Sequence, residues 1–160
     1  MEMGILNETK YRMFTDLYGN EITTEDPAVT GGVNAFISGF LSYTPNIADV
    51  LEVAQNHPTS CLVNAYAGFL WLFLESPEGL QKARPFIERA ANAVDGVSPR
   101  EALIVKIAQA WMQDDIARVI QGCEQILTSH PHDLAILKLA QYHLFNQGDA
   151  LNMLRMAMLC

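Results

Sequence analysis

A His-Pro pair occurs twice in this chain, each time directly before a long apolar stretch with helical spacing. The first pair opens His57–Ser60 (HPTS), and the second opens His130–Asp133 (HPHD), 73 residues later. This separation is about twice the 34-residue period of one common two-helix repeat. Repeats of this length stack helical hairpins side by side instead of closing a single sheet or barrel. The repeated phrase therefore predicts an all-α protein.

Turn residues and helix caps divide the chain into a short extension and a repeat domain. Residues 1–26 are mixed and polar and form the N-terminal extension, and residues 27–160 form about four helical hairpins. The first helices of these hairpins are predicted to start near Pro27, Ser60, Ser98 and Asp133. Their starts are separated by 33, 38 and 35 residues. Because a plain helix bundle needs no such regular interval, we expect a right-handed superhelix of antiparallel hairpins with no evident strand.

Local signals support these helix bounds. Ser98 is a predicted N-cap with Pro99 at the first helical position, and Glu101 completes a capping-box pattern. Turns are predicted at Asp114-Asp115 and at Gly148-Asp149. The first helix, from Pro27 to about Tyr43, contains three glycines, so tertiary packing must hold it.

Charge and hydropathy exclude several functional classes. Ten Lys and Arg against eighteen Asp and Glu give a net charge of −8, which favours a basic or neutral partner and opposes nucleic acid or an anionic membrane. The most apolar stretch, Cys61 to Leu74, is shorter than the roughly 20 residues of a membrane span and contains Asn64, which indicates a buried core helix. Met1 to Phe14 lack the pattern of a signal peptide.

The three cysteines show no metal-ligand or redox spacing. Cys61, Cys123 and Cys160 lie within or beside apolar helical segments. An odd number of such residues indicates buried, reduced thiols, and this suits a cytoplasmic protein.

Particular residues resemble the tetratricopeptide repeat (TPR) pattern. Gly68 and Trp71 match the small and large positions of a TPR first helix, and Ala83 and Ala90 match its second helix. Small residues at these positions let two helices approach closely, and large ones fill the groove between hairpins.

Nearly the whole chain resembles the N-terminal part of the tetratricopeptide repeat protein 38 family. The resemblance is carried by Asp16–Thr24 (DLYGNEITT), Ser98–Glu101 (SPRE), Trp111, and the stretch from His130 to Asp149. Members of that family are typically much longer, so the chain looks like a short relative or a truncation. The family is not associated with an established catalytic activity, and the resemblance implies a TPR superhelix.

The first helices of such an array line a concave surface, which is the candidate binding site. Its predicted solvent-facing residues are Phe69, Phe73, Gln109, Gln113, Lys138 and Tyr142. Aromatic anchors beside amides and a cation favour a protein or peptide partner. The alternative is that the aromatic residues are ordinary packing and the polar ones are ordinary solvated residues.

The last stretch of the chain is apolar on more than one side, although the terminal unit of a helical array needs a polar outer face. Its apolar members include Leu151, Met153, Leu154, Met156 and Met158. Self-association as a homodimer, further hairpins or a heterologous helix would cover this stretch, and the alternative is that the fourth hairpin buries it.

Catalysis and metal binding have little support. The best group is His130, His132, Asp133 and His143, but two of these histidines flank a proline, Asp133 is better placed as an N-cap, and His143 lies about three helical turns away. We therefore expect no catalytic residue, metal or cofactor, and a non-enzymatic interaction scaffold. Two alternatives stay open: an assembly role in which residues near Tyr11 to Ile22 fill the groove, and a small-molecule or enzymatic pocket there.

Overall fold

The computed structural model describes residues 14–160, which contain eight α-helices and one short two-stranded ribbon. The helices are α1 (Pro27–Ser42), α2 (Asp49–Asn56), α3 (Cys61–Leu72), α4 (Pro77–Asn92), α5 (Pro99–Met112), α6 (Ile116–Ser129), α7 (Leu134–Asn146) and α8 (Ala150–Ala157), with a 3-10 turn at Pro45–Ala48 before α2. The predicted all-α class is confirmed for this part of the chain. The interpretation of Met1 to Phe14 falls almost wholly outside the described residues.

The expectation that the chain has no strand is wrong at its N-terminal end. Strands β1 (Phe14–Thr15) and β2 (Glu21–Ile22) pair antiparallel, with Phe14 opposite Ile22. The turn between them is held by Asp16, whose carboxylate accepts hydrogen bonds from the backbone N–H groups of Tyr18 and Asn20, both at 2.9 Å. This local side-chain turn chemistry holds a ribbon too short to show an alternating hydrophobic pattern.

Helix starts follow the caps that the sequence contains. The Asp26 carboxylate accepts from the Ala28 N–H at 2.8 Å, with Pro27 at the first helical position. The capping box of α5 is confirmed, because Ser98 Oγ accepts from the Glu101 N–H and Glu101 Oε2 accepts from the Ser98 N–H. The start of α3 lies where it was predicted, with Ser60 at the N-cap position, but the Ser60 side chain makes no capping hydrogen bond.

Two glycines place consecutive helices in close contact. A Cβ on Gly39 of α1 would lie 2.5 Å from the backbone nitrogen of Ile47, and a Cβ on Gly68 of α3 would lie 2.5 Å from Cγ1 of Ile87. Both distances are far below van der Waals contact, so only glycine fits. The glycines that weaken α1 as an isolated helix are therefore part of what packs it.

Consecutive helices pack against each other along the chain, and α3 also packs against α1 and α5. In addition, α1 contacts α7. At this contact Lys138 Nζ donates to the carbonyl oxygens of Phe40 and Leu41, the latter at 3.3 Å, in the last turn of α1. The first and last helix pairs therefore meet, whereas each unit of a linear array contacts only its neighbours. None of the helices within residues 14–160 is long and apolar enough to cross a membrane.

Candidate functional site

A buried ion cluster joins the N-terminal segment to α5 and α7. Arg100 lies in the core, with its Nε 2.7 Å from Asp133 Oδ2 and its Nη2 3.6 Å from Asp16 Oδ2. Its Nη1 also donates to the Glu21 carbonyl oxygen at 3.2 Å. Sequence reasoning noticed Arg100 only within a family resemblance, because a buried arginine cannot be recognised without knowing which carboxylates surround it. The cluster fixes the extension against the helices, which is a structural task.

The histidine and aspartate group weighed for metal binding is dispersed. Asp133 pairs with Arg100 and caps α7, and His130 Nδ1 lies 2.9 Å from Ser129 Oγ. His143 is at the other end of α7, where its ring centroid lies 4.6 Å from that of Trp111. No cluster of three or more His, Cys, Asp or Glu side chains able to hold a metal ion occurs within residues 14–160. Of the cysteines, Cys61 and Cys123 are buried as expected, but Cys160 is exposed.

Aromatic rings from four helices form one continuous cluster, called here the aromatic cluster. Its members are Phe36, Phe40, Tyr66, Phe69, Phe73, Trp111, Tyr142 and His143. Phe69 is only 2 % exposed, so the expectation that it faces solvent is wrong. Phe73 and Tyr142 are partly buried, and their ring centroids lie 5.1 Å apart in a T-shaped pair. The structure thus brings together the three predicted aromatic residues, as packing.

The three predicted polar residues do not join them on one open surface. Lys138 is bound within the molecule, since it contacts the end of α1 and lies 3.6 Å from the Tyr43 ring centroid. Gln109 and Gln113 line a different cavity, of about 400 Å³, together with Lys106 and Arg118. The six residues therefore do not form the single groove that was expected.

Helix α8 has two apolar sides. Met156 is fully buried, so the prediction of an exposed apolar surface is wrong for this residue, and Met153 is partly buried against the core. Leu151, Leu154 and Met158 are 77 %, 61 % and 78 % exposed. Their spacing of three and four residues places them on one helical side. We call these three residues the outer face of α8.

A cleft of about 530 Å³ opens where α3, α5 and α7 end. Its polar lining residues are Glu75, Ser76, Asp114, His143, Asn146 and Gln147, and its apolar ones are Leu72, Pro77, Leu80, Trp111, Met112 and Ile116. Glu75 and Asp114 follow α3 and α5 at the turns that lead into the next helices, and both have positive φ, at 46° and 59°. We call this feature the carboxylate cleft.

Electrostatics in the carboxylate cleft follow from burial and from its two acids. Burial is the main cause that lowers the pKa of His143 to about 4, against smaller raising effects of the Glu75 and Asp114 charges, so the imidazole is neutral at pH 7. Its Nε2 is buried and has no hydrogen-bond partner in the part of the chain that the structure describes. The Tyr142 hydroxyl donates to Glu75 Oε1, and burial followed by this hydrogen bond raises the pKa of Tyr142 to about 12. The cleft therefore offers hydrogen-bond acceptors and negative charge.

Sequence reasoning missed this cleft. It treated Asp114 as a turn residue, which it is, and it considered His143 only as part of a metal group. The available signal was one acidic residue after each of two first helices, at Glu75 and Asp114. Only the packing of α3, α5 and α7 shows that these positions share one opening.

Comparisons with models of protein families, with curated proteins and with solved structures find no match to this chain. The resemblance to the tetratricopeptide repeat protein 38 family therefore stays a prediction.

Proposed function

We propose that this chain is a non-enzymatic helical-repeat module that binds a partner helix or peptide, and that two copies associate through the outer face of α8. The observation that carries the proposal is the exposure of Leu151, Leu154 and Met158 on one side of a helix whose other side is already buried in the fold. An isolated exposed leucine is ordinary, but three large apolar side chains in one helical row favour an interface.

A second copy is the partner that fits this surface best. Two α8 helices related by a two-fold axis would cover each other's outer faces, because an isologous interface uses the same residues twice. Arg155 lies beside the row and pairs with Glu124 of α6, where its Nη2 is 3.1 Å from Glu124 Oε2. This ion pair holds α8 on the body of the protein and leaves the row itself apolar.

The TPR superhelix is also part of the proposal. Successive helix pairs pack in chain order, and the spacing of 33, 38 and 35 residues between predicted first helices is close to the length of such repeats. The contact between α1 and α7 makes the array tighter than a linear one. In a superhelix of this kind, successive helices form an extended surface to which a partner can bind, which agrees with a docking role.

The contacts of the residues that were considered for catalysis support a non-enzymatic role. Asp133 is held by Arg100, and His130 contacts Ser129, so two of the residues weighed for catalysis have structural partners. The net charge of −8 opposes binding to nucleic acid. We therefore propose a protein partner and a cytoplasmic location.

Light scattering on the purified chain tests self-association. The wild type should have the mass of a dimer, and the variant Leu151→Glu/Leu154→Glu should have the mass of a monomer, since the interface would bury two charges per copy. Leu17→Glu is the matched control, because Leu17 is also exposed, at 57 %, but lies in the β1–β2 turn. A wild-type monomer, or a dimer that both variants leave intact, would show that the outer face of α8 is not the interface.

A further inference from the structure

The carboxylate cleft contains two acids, Glu75 and Asp114, that no basic side chain among the described residues neutralises. The ion pairs found within residues 14–160 do not include Glu75 or Asp114, and no Lys or Arg of this part of the chain lines the cleft. Both acids are exposed, and Glu75 accepts hydrogen bonds from the Tyr142 hydroxyl and the Asn146 amide. Together they give the mouth of a partly apolar cavity a negative charge that would attract a cation.

The acids occupy backbone positions that favour glycine. Glu75 and Asp114 have φ of 46° and 59°, while the turn after α7 has Gly148 with φ of 71°. A side chain at positive φ is less favourable than glycine, so each acid is held at a conformational cost. Glycine at these two positions would therefore stabilise the turns more than the two acids do.

His143 is the independent observation that points to a ligand. It is 4 % exposed, it lines the cleft, and its Nε2 has no hydrogen-bond partner among residues 14–160. A buried polar atom without a partner is rare in a folded protein and calls for an explanation. Because this imidazole is neutral at pH 7, it does not repel a cation and it has a ring nitrogen that accepts a hydrogen bond.

The other residues that line the cleft indicate which kind of cation it would bind. Trp111 and the aliphatic side chains of Leu72 and Ile116 line the same cavity. Aromatic faces attract cations, and aliphatic walls favour an apolar body. No metal-binding cluster of three or more His, Cys, Asp or Glu exists within residues 14–160, which favours an organic cation over a metal ion.

We propose that the carboxylate cleft binds a primary ammonium group carried on an apolar chain, with Glu75 and Asp114 as its counter-charges and His143 and Trp111 as the wall that it contacts. An ammonium group has three donors, and the two carboxylates and the imidazole supply acceptors. The volume of about 530 Å³ suits a small ligand or one side chain. This site is separate from the outer face of α8 and goes beyond the docking function proposed above.

Tryptophan fluorescence tests the proposal directly. The chain has two tryptophans, so Trp71→Phe leaves Trp111 in the cleft as the single reporter. Phenethylamine should change its emission in a saturable way, and the uncharged 2-phenylethanol should bind more weakly by about tenfold or more. Equal binding of the two probes, or no saturable change with the amine, would overturn the proposal.

Variants of Glu75 and Asp114 test whether these two acids bind the ammonium group. Glu75→Gln/Asp114→Asn should weaken phenethylamine binding by roughly tenfold or more, because both counter-charges are lost. The control Glu78→Gln/Asp115→Asn removes the same charge from two neighbouring acids that do not line the cleft, and it should keep wild-type affinity. Glu75→Gly/Asp114→Gly suits the turns, so it should fold and also lose binding. Unchanged affinity in both cleft variants would show that the acids are not the site.

The ammonium group has two sources, a free amine or a lysine side chain in a peptide. Three probes distinguish these sources: phenethylamine, a short acetylated peptide with a central lysine, and the same peptide with norleucine in place of the lysine. Tighter binding of the lysine peptide identifies a protein side chain as the ligand, and tighter binding of phenethylamine identifies a small amine. The norleucine peptide should not bind, and its binding as tightly as the lysine peptide would contradict recognition of the charge.

Discussion

The guanidinium of Arg100 lies 2.7 Å from the carboxylate of Asp133, and both side chains are almost fully buried. Asp133 also accepts the backbone N–H of Ile136 and so caps α7. One ion pair thus fixes the start of α7 to α5, and through Asp16 it reaches the N-terminal ribbon.

Removing Arg100 should destabilise the protein strongly. Arg100→Met leaves two buried carboxylates without their cation and should lower the free energy of unfolding by about 3–5 kcal/mol, measured by urea denaturation. The double variant Arg100→Met/Asp133→Asn should lose less free energy of unfolding than the two single variants lose in sum, because Asn still caps α7. Arg84→Met, on the exposed side of α4, is the control and should change stability by less than about 0.5 kcal/mol. Additive losses would show that the two residues are not coupled.

Two glycines of α1 should respond to alanine in opposite directions. At Gly39 the new Cβ would meet backbone atoms of Ile47, so Gly39→Ala should cost roughly 1–3 kcal/mol or more in unfolding free energy. At Gly31 nothing lies within 4 Å of the new Cβ, so Gly31→Ala should stabilise by about 0.5–1 kcal/mol through helix propensity. Urea denaturation of both variants measures the difference. Stabilisation by both would mean that the close contact of α1 with the 3-10 turn is wrong.

Stability should fall in mild acid because of His143. Its pKa is about 4 in the folded protein against an ordinary value of 6.5, so the unfolded chain binds more protons between these values. Stability is therefore complete above about pH 6.5 and declines as the pH falls towards about 4, by up to about 3 kcal/mol. Urea denaturation across this range should show a smaller decline for His143→Gln.

His57 provides the control for that experiment. The Val53 carbonyl and then Asp26 raise the pKa of His57, so its contribution has the opposite sign and is lost as the pH rises. His57→Asn should therefore keep the acid-side decline. An identical decline in the wild type and in His143→Gln would exclude His143 as its source.

The two apolar sides of α8 should differ in their tolerance of charge. Met156→Glu places a carboxylate in the core and should lower the free energy of unfolding by roughly 3 kcal/mol or more. Ala157→Glu, at an exposed position of the same helix, should change it by less than about 0.5 kcal/mol. Thermal melts followed by circular dichroism compare the two. A tolerated Met156→Glu would contradict the burial of this side.

Helix bounds could be predicted because their causes are local. Asp26 with Pro27 and Ser98 with Glu101 act within a few residues of the helices that they start. Which side of a helix is buried could not be predicted where both sides are apolar. Leu154 and Met156 look alike in sequence, yet one is exposed and the other is in the core.

The candidate site was less accessible to sequence reasoning. Phe69 lies in α3 and Phe73 directly follows its last residue, one helical turn further on, so periodicity cannot separate the buried ring from the half-buried one. The meeting of Glu75, Asp114 and His143 depends on how three helices end side by side. Such a meeting is a tertiary property that no local pattern contains.

The bond from Lys138 to Phe40 joins residues 98 positions apart, and it connects the first helix pair to the last. In a linear array, end units fray and the rest persists, since stability is nearly a sum over neighbours. In this protein, unfolding of the first or the last helix pair removes the contact that the other pair makes with it. Unfolding should consequently be cooperative over the whole repeat domain. Folding should be slower than for a helical protein with only local contacts, because a contact between residues so far apart in sequence costs more loop-closure entropy.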